Sequence, residues 1–422
     1  MSEFDKIIGY EDAKLELKRF CDVLKNPRKY EKLGVTMPSG ILLYGRPGVG
    51  KTMMAKCFIA ESGHKVFTLR KEKPDGDFVK EIKEVFEKAK AEAPAIVFLD
   101  DMDKYANEDR LHRDAEEYVS VQSCIDNCKG CNVFTIATVN HRFDLPDSLL
   151  RVGRFDKLIE MGIPKGKDAE KIIEFYLKSK STVGDIDLEE TARLLEQHTC
   201  AELESVVNEA GIYAGFDGRD KITQKDLIKA CMRMIFDAPE CIDISDTVLT
   251  RKMALHEAGH AVVAEILEPG SVSLVSICKY DGPAGGITKY KLSDAYDYSK
   301  ELQEYAVMRG LGGKAATELV YGETDTGCTA DLSEAYNIVS DFVDDHCAYG
   351  FDAFVRENSS GYLLEKKDRM MAVEMDRYYA RTKKILTENR TFLEKMTNDL
   401  MDKKTLTYRD IQKIKADIGI AA

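Results

Sequence analysis

Over residues 1–164, short apolar runs alternate with longer stretches in which apolar positions return every three or four residues. Ile41-Leu42-Leu43-Tyr44, Val66-Phe67-Thr68-Leu69, Ala95-Ile96-Val97-Phe98-Leu99 and Val133-Phe134-Thr135-Ile136-Ala137-Thr138 are too short for helices and apolar enough for buried strands. Residues 11–33 read as an amphipathic helix and a short connector ending near Gly34, and 53–60 and 78–93 carry the helical period, the last run stopped by Pro94. Strands and helices in this order predict a parallel sheet flanked by helices, with ligands at the C-terminal ends of the strands. From Lys165 to about Asp237 the period is helical throughout, over 168–180, 188–197, 201–214 and 223–236. Asp237-Ala238-Pro239-Glu240-Cys241 breaks the last of these, so a domain boundary is expected between there and Thr250. Beyond it the chain is again mainly helical, with a strand-like stretch over 285–290. Further helices are expected between 369 and 403 and over 408–416, where Thr407 and Asp410 have capping-box spacing. The pattern divides the chain into 1–164, 165–240 and 250–422.

Two of these segments carry chemistry. Gly45-Arg46-Pro47-Gly48-Val49-Gly50-Lys51-Thr52 is a complete G-x-x-x-x-G-K-T motif, placed after a strand and before the helical run that opens at Met53. Its glycines let backbone N–H groups curl around phosphates, Lys51 can reach the β- and γ-phosphates, and Thr52 can ligate Mg²⁺. Asp100 and Asp101 close the strand 95–99, where a carboxylate holds Mg²⁺ (Asp100) and a second can polarise the attacking water (Asp101). Asn140 follows the strand 133–138, in place to orient that water or the γ-phosphate, and Arg151 and Arg154 follow downstream. The second segment is Leu255-His256-Glu257-Ala258-Gly259-His260. On a helix His256 and His260 share a face one turn apart, so both imidazoles can reach one metal ion, with Glu257 beside them to handle a water proton.

Composition narrows this. The chain has only seven histidines in 422 residues, so two of them in an H-E-x-x-H arrangement carry weight. A net charge of -13 argues against an electrostatic grip on nucleic acid. The N-terminus lacks the regions of a signal peptide, and no run approaches the ~20 apolar residues of a membrane span. Eleven cysteines are scattered without paired CxxC spacing, Cys128 and Cys131 coming nearest, which fits a reducing cytoplasm. A catalytic zinc needs a third protein ligand. Asp331 is the better candidate, at the point where the glycine-punctuated stretch 322–330 turns into a helix; Asp325 and Glu318 are the alternatives.

Together these motifs resemble an AAA+ ATPase and, within that class, the FtsH-type ATP-dependent zinc metalloproteases. The opening Phe4-Asp5-Lys6-Ile7-Ile8-Gly9-Tyr10 is similar to the family's segment before the phosphate loop. The resemblance implies that Ile8 and Gly9 lie against adenine, that Asn140 is the sensor-1 residue, and that Arg151 and Arg154 are arginine fingers completing a neighbour's ATP site. It implies a homo-hexameric ring, a helical lid over 165–240, Asp331 as third zinc ligand, and the strand near 285–290 as an edge for substrate peptide. The expected fold is an α/β AAA+ module with a helical lid, followed by a mainly α-helical zincin-type peptidase domain. The expected function is a cytoplasmic zinc metalloendopeptidase with Zn²⁺, and ATP with Mg²⁺, as cofactors. Glu257 would be its general base and protein or peptide chains its substrates. The alternative is a remodelling ATPase or a nucleotide-gated peptidase. Three departures from the family stand out: no membrane spans precede the ATPase, Asp101 replaces a glutamate, and the pore-loop stretch 71–80 is short and charged, with Phe78-Val79 the nearest aromatic-hydrophobic pair. The shorter Asp101 predicts slower ATP hydrolysis than in the family.

Overall fold

The computed structural model describes residues 2–71, 78–106, 115–180, 183–184, 186–237, 247–278, 285–291, 299–323, 326–351, 354 and 359–420. By contacts the chain divides into two units, Met1–Lys180 with Gln197–Val207, and Ser181–Glu196 with Asn208–Ala422. Among the described residues no helix is long and apolar enough to cross a membrane.

The first unit runs α1 (Glu11–Lys25), α2 (Pro27–Glu31), β1 (Gly40–Tyr44), α3 (Lys51–Ser62), β2 (Lys65–Leu69), α4 (Phe78–Ala91), β3 (Ala95–Leu99), α5 (Ala115–Asn127), β4 (Val133–Val139), β5 (Lys157–Glu160) and α6 (Gly166–Lys178). Where one amphipathic helix and a short connector are expected over 11–33, the chain forms two helices. Pro27 has no N–H to extend the ladder and steers Asn26 out of helical geometry, so the chain restarts there. The five strands pair in parallel in the order β2-β3-β4-β1-β5. Their side chains alternate between two cores. Ile41, Leu43, Ile96 and Phe98 pack with α1 and α3, while Leu42, Val97, Leu99 and Ala137 pack with α4 and α5. Burial on both faces explains the unbroken apolar runs of β1, β3 and β4, whereas β2, expected to be buried, is an edge strand in which only Leu69 is buried. Phe78 belongs to the second core, its ring 5.0 Å from that of Tyr105. Within the stretch 71–80, residues 72–77 lie outside the described residues.

In chain order the remaining elements are α7 (Leu188–Leu194), α8 (Cys200–Phe216), α9 (Gln224–Phe236), α10 (Val248–Leu267), β6 (Val272–Ser276), β7 (Ile287–Tyr290), α11 (Lys300–Tyr321), α12 (Thr329–Asp344), α13 (Gly361–Glu388), α14 (Arg390–Lys403), β8 (Thr405–Thr407) and α15 (Tyr408–Asp417). Residues from α10, α11, α13 and α14 form one core around Ala258, Val262, Leu311, Leu386 and Met396. Glycines set how closely the first two helices meet: a Cβ on Gly259 would lie 2.4 Å from the Gly312 carbonyl oxygen, and one on Gly312 would lie 2.7 Å from that of Gly259. β6 is the centre of an antiparallel sheet ordered β7-β6-β8, which leaves β7 at one edge. The helices open on side-chain caps: Thr247 for α10, Ser299 for α11, and the predicted Thr407–Asp410 capping box for α15. Among the described residues, one ion pair is fully inside. Lys415 Nζ donates to Glu265 Oε2 at 2.9 Å, the second Glu265 oxygen accepts from Val272 N at 3.0 Å, and both side chains are at most 1% exposed. That network ties the end of α10 to α15.

Candidate metal centre and nucleotide pocket

The metal centre is built on α10. Helical periodicity puts His256 and His260 on one face, and the next helix but one after β7, α12, brings Asp331 to them from its first turn. Among the described residues these three form a group whose ligand atoms all lie within 4.8 Å of one another. His260 Nε2 is 3.0 Å from His256 Nε2 and 3.5 Å from Asp331 Oδ2, and His256 Nε2 is 3.2 Å from the same oxygen. A tetrahedral zinc with bonds of about 2.0–2.2 Å sets its ligand atoms roughly 3.3–3.5 Å apart, so the donor set fits that ion in spacing and in chemistry. His260 Nδ1 bonds the Arg309 carbonyl at 2.6 Å, which turns Nε2 toward the centre. His256 Nδ1 is buried with no such partner among the described residues. The His256 ring lies flat on α11 because residue 313 is glycine: a Cβ there would come within 2.5–2.6 Å of three ring atoms. Burial opposes the charge on Asp331, but hydrogen bonds from the two imidazoles outweigh it and hold the carboxyl below its usual range.

Glu257 sits 8% exposed beside the histidines. Its Oε2 accepts from Thr288 Oγ1 at 2.7 Å, and a Cβ on Gly286 would lie 2.7 Å from its Cγ. The edge strand β7 thus packs directly over the carboxylate. A cavity of about 460 Å³ is lined by His256, Glu257, His260, Asp331, Ile287, Thr288, Tyr290 and Arg309. Of the alternative third ligands, Glu318 faces away from the group, bonded to Lys383 (2.6 Å), Tyr379 (2.5 Å) and Lys314 (2.9 Å); Asp325 lies outside the described residues.

The second cavity, about 490 Å³, lies at the C-terminal ends of the parallel strands. Ile8, Pro47, Gly48, Val49, Gly50, Lys51, Thr52, Met53, Asp101 and Asn140 line it, whereas Gly9, Gly45, Arg46 and Asp100 stand outside its lining. Gly45 has φ +151, and a Cβ would strike the Met161 carbonyl at 2.1 Å, so the first glycine of the loop is a steric requirement. Lys51 Nζ donates to the carbonyls of Gly45 (2.6 Å) and Arg46 (3.0 Å) and to Asn140 Oδ1 (3.0 Å). Burial lowers its pKa, against the pull of Asp103, Asp101 and Asp100. Asp100 Oδ1 accepts from Thr52 Oγ1 (2.9 Å) and Thr138 Oγ1 (2.8 Å). Asp101, at φ +52, is held by Lys104 (2.7 Å) and Arg70 (3.4 Å). Arg151 is exposed, while Arg154 is engaged within the chain by Asp126, at 3.1 and 2.6 Å.

Sequence reasoning passed over two residues here. Asp103 accepts from both Asn140 N (3.2 Å) and Asn140 Nδ2 (2.7 Å), which aims the amide oxygen at Lys51. Its signal was a third acidic residue two positions past the Asp100-Asp101 pair. Tyr10 donates to the carbonyls of Val49 and Gly162 at 3.0 and 2.9 Å and lines the cavity; nothing in its spacing marked it.

Comparisons with known proteins bear on both sites. Residues 41–163 match the ATPase family associated with various cellular activities (AAA), residues 185–229 the AAA+ lid domain, and residues 244–414 peptidase family M41. The chain is similar to proteins named ATP-dependent zinc metalloprotease FtsH. It is 30% identical over 446 residues to that of Caldicellulosiruptor bescii, 31% over 436 to that of Lachnoclostridium phytofermentans, and 30% over 449 to that of Thermus thermophilus. The alignments cover 97, 97 and 99% of this chain and 71, 74 and 71% of the three relatives.

Proposed function

The chain belongs to the FtsH-type family of ATP-dependent zinc metalloproteases, and on that premise we propose how its own residues divide the work. The observation that carries the reading is the His256–His260–Asp331 group with Glu257 beside it under an edge strand. His256, His260 and Asp331 hold the zinc, which when bound supplies Lewis acidity to the attacking water and the scissile carbonyl. Glu257 takes the proton of that water and returns it to the leaving amine, with Thr288 orienting the carboxylate. Substrate peptide adds to the free edge of β7, which brings its backbone over Glu257. In the ATPase, Lys51 faces the β- and γ-phosphates, and Thr52 and Asp100 hold Mg²⁺. Asp101 and Asn140 order the attacking water, with Asn140 aimed by Asp103. Ile8 and Gly9 flank the adenine.

The ATPase subdomain spans 1–164, the lid 165–240 and the peptidase 250–422. Arg151, exposed and without an ion pair among the described residues, reaches the ATP held by the next subunit of a homo-hexameric ring. Arg154 anchors that segment through Asp126.

The test is proteolysis of one disordered and one folded protein by wild type, Glu257→Gln and Lys51→Ala, with and without ATP. Coupled proteolysis predicts loss of at least 100-fold in Glu257→Gln, as expected when a general base is removed. It also predicts loss of folded-substrate cleavage in Lys51→Ala. Full activity in Lys51→Ala would instead identify a nucleotide-gated peptidase, and no cleavage by any form a remodelling ATPase.

A further inference from the structure

Arg309 stands in the metal cleft with a side chain that the hydrolytic chemistry leaves unused. Its backbone is fixed, since its carbonyl accepts the bond from His260 Nδ1 at 2.6 Å. Its side chain is fixed separately: the guanidinium carbon lies 4.3 Å from the centre of the Tyr290 ring, at the end of the edge strand β7. Both side chains line the cavity that holds Glu257 and Asp331. Among the described residues the guanidinium makes no ion pair. A guanidinium stacked on a ring face keeps its N–H edges free, and those edges match a carboxylate bidentately.

Among the described residues, three acidic groups line the cleft. Asp331 is committed to the two imidazoles and Glu257 to Thr288. Glu334, on α12, is exposed to solvent, where its charge is screened and holding it in one pose costs rotamer entropy. The stacked arginine is therefore the stronger recognition element. We propose that Arg309 determines specificity by selecting substrates with a carboxylate close to the scissile bond, either an Asp or Glu side chain or the free C-terminus of the chain being cut. This deepens the proteolytic reading and rests on it.

The test uses one neutral peptide sequence with an amidated C-terminus, in which Glu, Gln or Lys occupies each position in turn, and one copy with a free C-terminal carboxylate. Cleavage is followed as kcat/KM with wild type, Arg309→Gln and Arg309→Lys. Binding is followed separately by fluorescence anisotropy with zinc-loaded Glu257→Gln, alone and combined with Arg309→Gln, after zinc content is measured in every variant. At one or more positions, or for the free C-terminus, wild type should prefer the carboxylate over its amide by about tenfold or more, as for a charge-assisted pair. The ratio should fall toward one in Arg309→Gln and recover in part in Arg309→Lys. Which peptides carry the preference identifies the carboxylate's source. A ratio near one in wild type, or one that survives in Arg309→Gln, overturns the proposal. Preference for Lys overturns it in favour of Glu334. Carboxylate-selective binding without any cleavage supports Arg309 and removes the peptidase reading instead.

Discussion

His256 rests on a surface made by a missing side chain. Gly313 is in the interior of α11, where alanine would ordinarily be favoured over glycine by about 0.5–1 kcal/mol. The backbone therefore has no need of glycine, and the need comes from the ring atoms 2.5–2.6 Å from where a methyl would sit. Gly313→Ala should bind zinc about 10–100-fold more weakly, the scale seen when a ligand's support is disturbed, with helix content unchanged by circular dichroism. Competition with a chelating dye measures this, and wild-type affinity in the variant would show that the ring has another place to lie. The same logic separates what the sequence made legible from what it hid. His256, Glu257 and His260 were readable because helical period alone puts them together. Asp331 was readable only as the better of several carboxylates, since no local spacing fixes a ligand 71 residues past His260. Gly313 and Asp103 act through tertiary neighbours, and no periodicity reports those.

At the scale of elements, the fastenings of α11 include its glycine contact with α10 and the bonds of Glu318. That carboxylate links its own helix, through Lys314, to Lys383 and Tyr379 of α13. Hydrogen bonds from Lys383, Tyr379 and Lys314, in that order of effect, hold its pKa down at about 2 against an ordinary 4.5. A carboxyl lowered on folding adds stability that is fully present above its unfolded value and is lost as pH falls toward its folded one. Wild type should thus lose stability between about pH 5 and pH 2 partly through this group. Urea midpoints measured across that range should fall less steeply for Glu318→Gln, and parallel curves would remove Glu318 from the acid response. Elements differed in legibility for a physical reason. β1, β3 and β4 are buried on both faces and announce themselves as apolar runs. β5, β6 and β8 are short or interleaved with serine, threonine and charge, and are strands only because a neighbour pairs with them.

For the whole molecule, the two cavities are built from different residues in different units of the chain. The metal chemistry and the nucleotide chemistry should therefore be separable. A zinc-selective chelator, added with Mg²⁺ in excess, should abolish peptide cleavage while ATP hydrolysis keeps at least about half its rate, on the premise that catalytic zinc serves only the peptidase. Parallel measurement of phosphate release and peptide cleavage checks this, and equal loss of both would mean that the metal also supports the ATPase. Overall architecture was the most legible level of all, because the phosphate-loop motif and the metal motif each fix their own surroundings. How copies of the chain would meet was not legible, since Arg151 and Arg154 look alike in sequence and are told apart by the contacts of Arg154 with Asp126 and the Ser148 carbonyl.

The buried pair at the end of α10 has a consequence in time. Glu265 is translated 150 residues before Lys415, the cation that neutralises it. A chain that ends before Lys415 therefore has both histidines and the aspartate but leaves Glu265, near the end of the metal-bearing helix, without its cation.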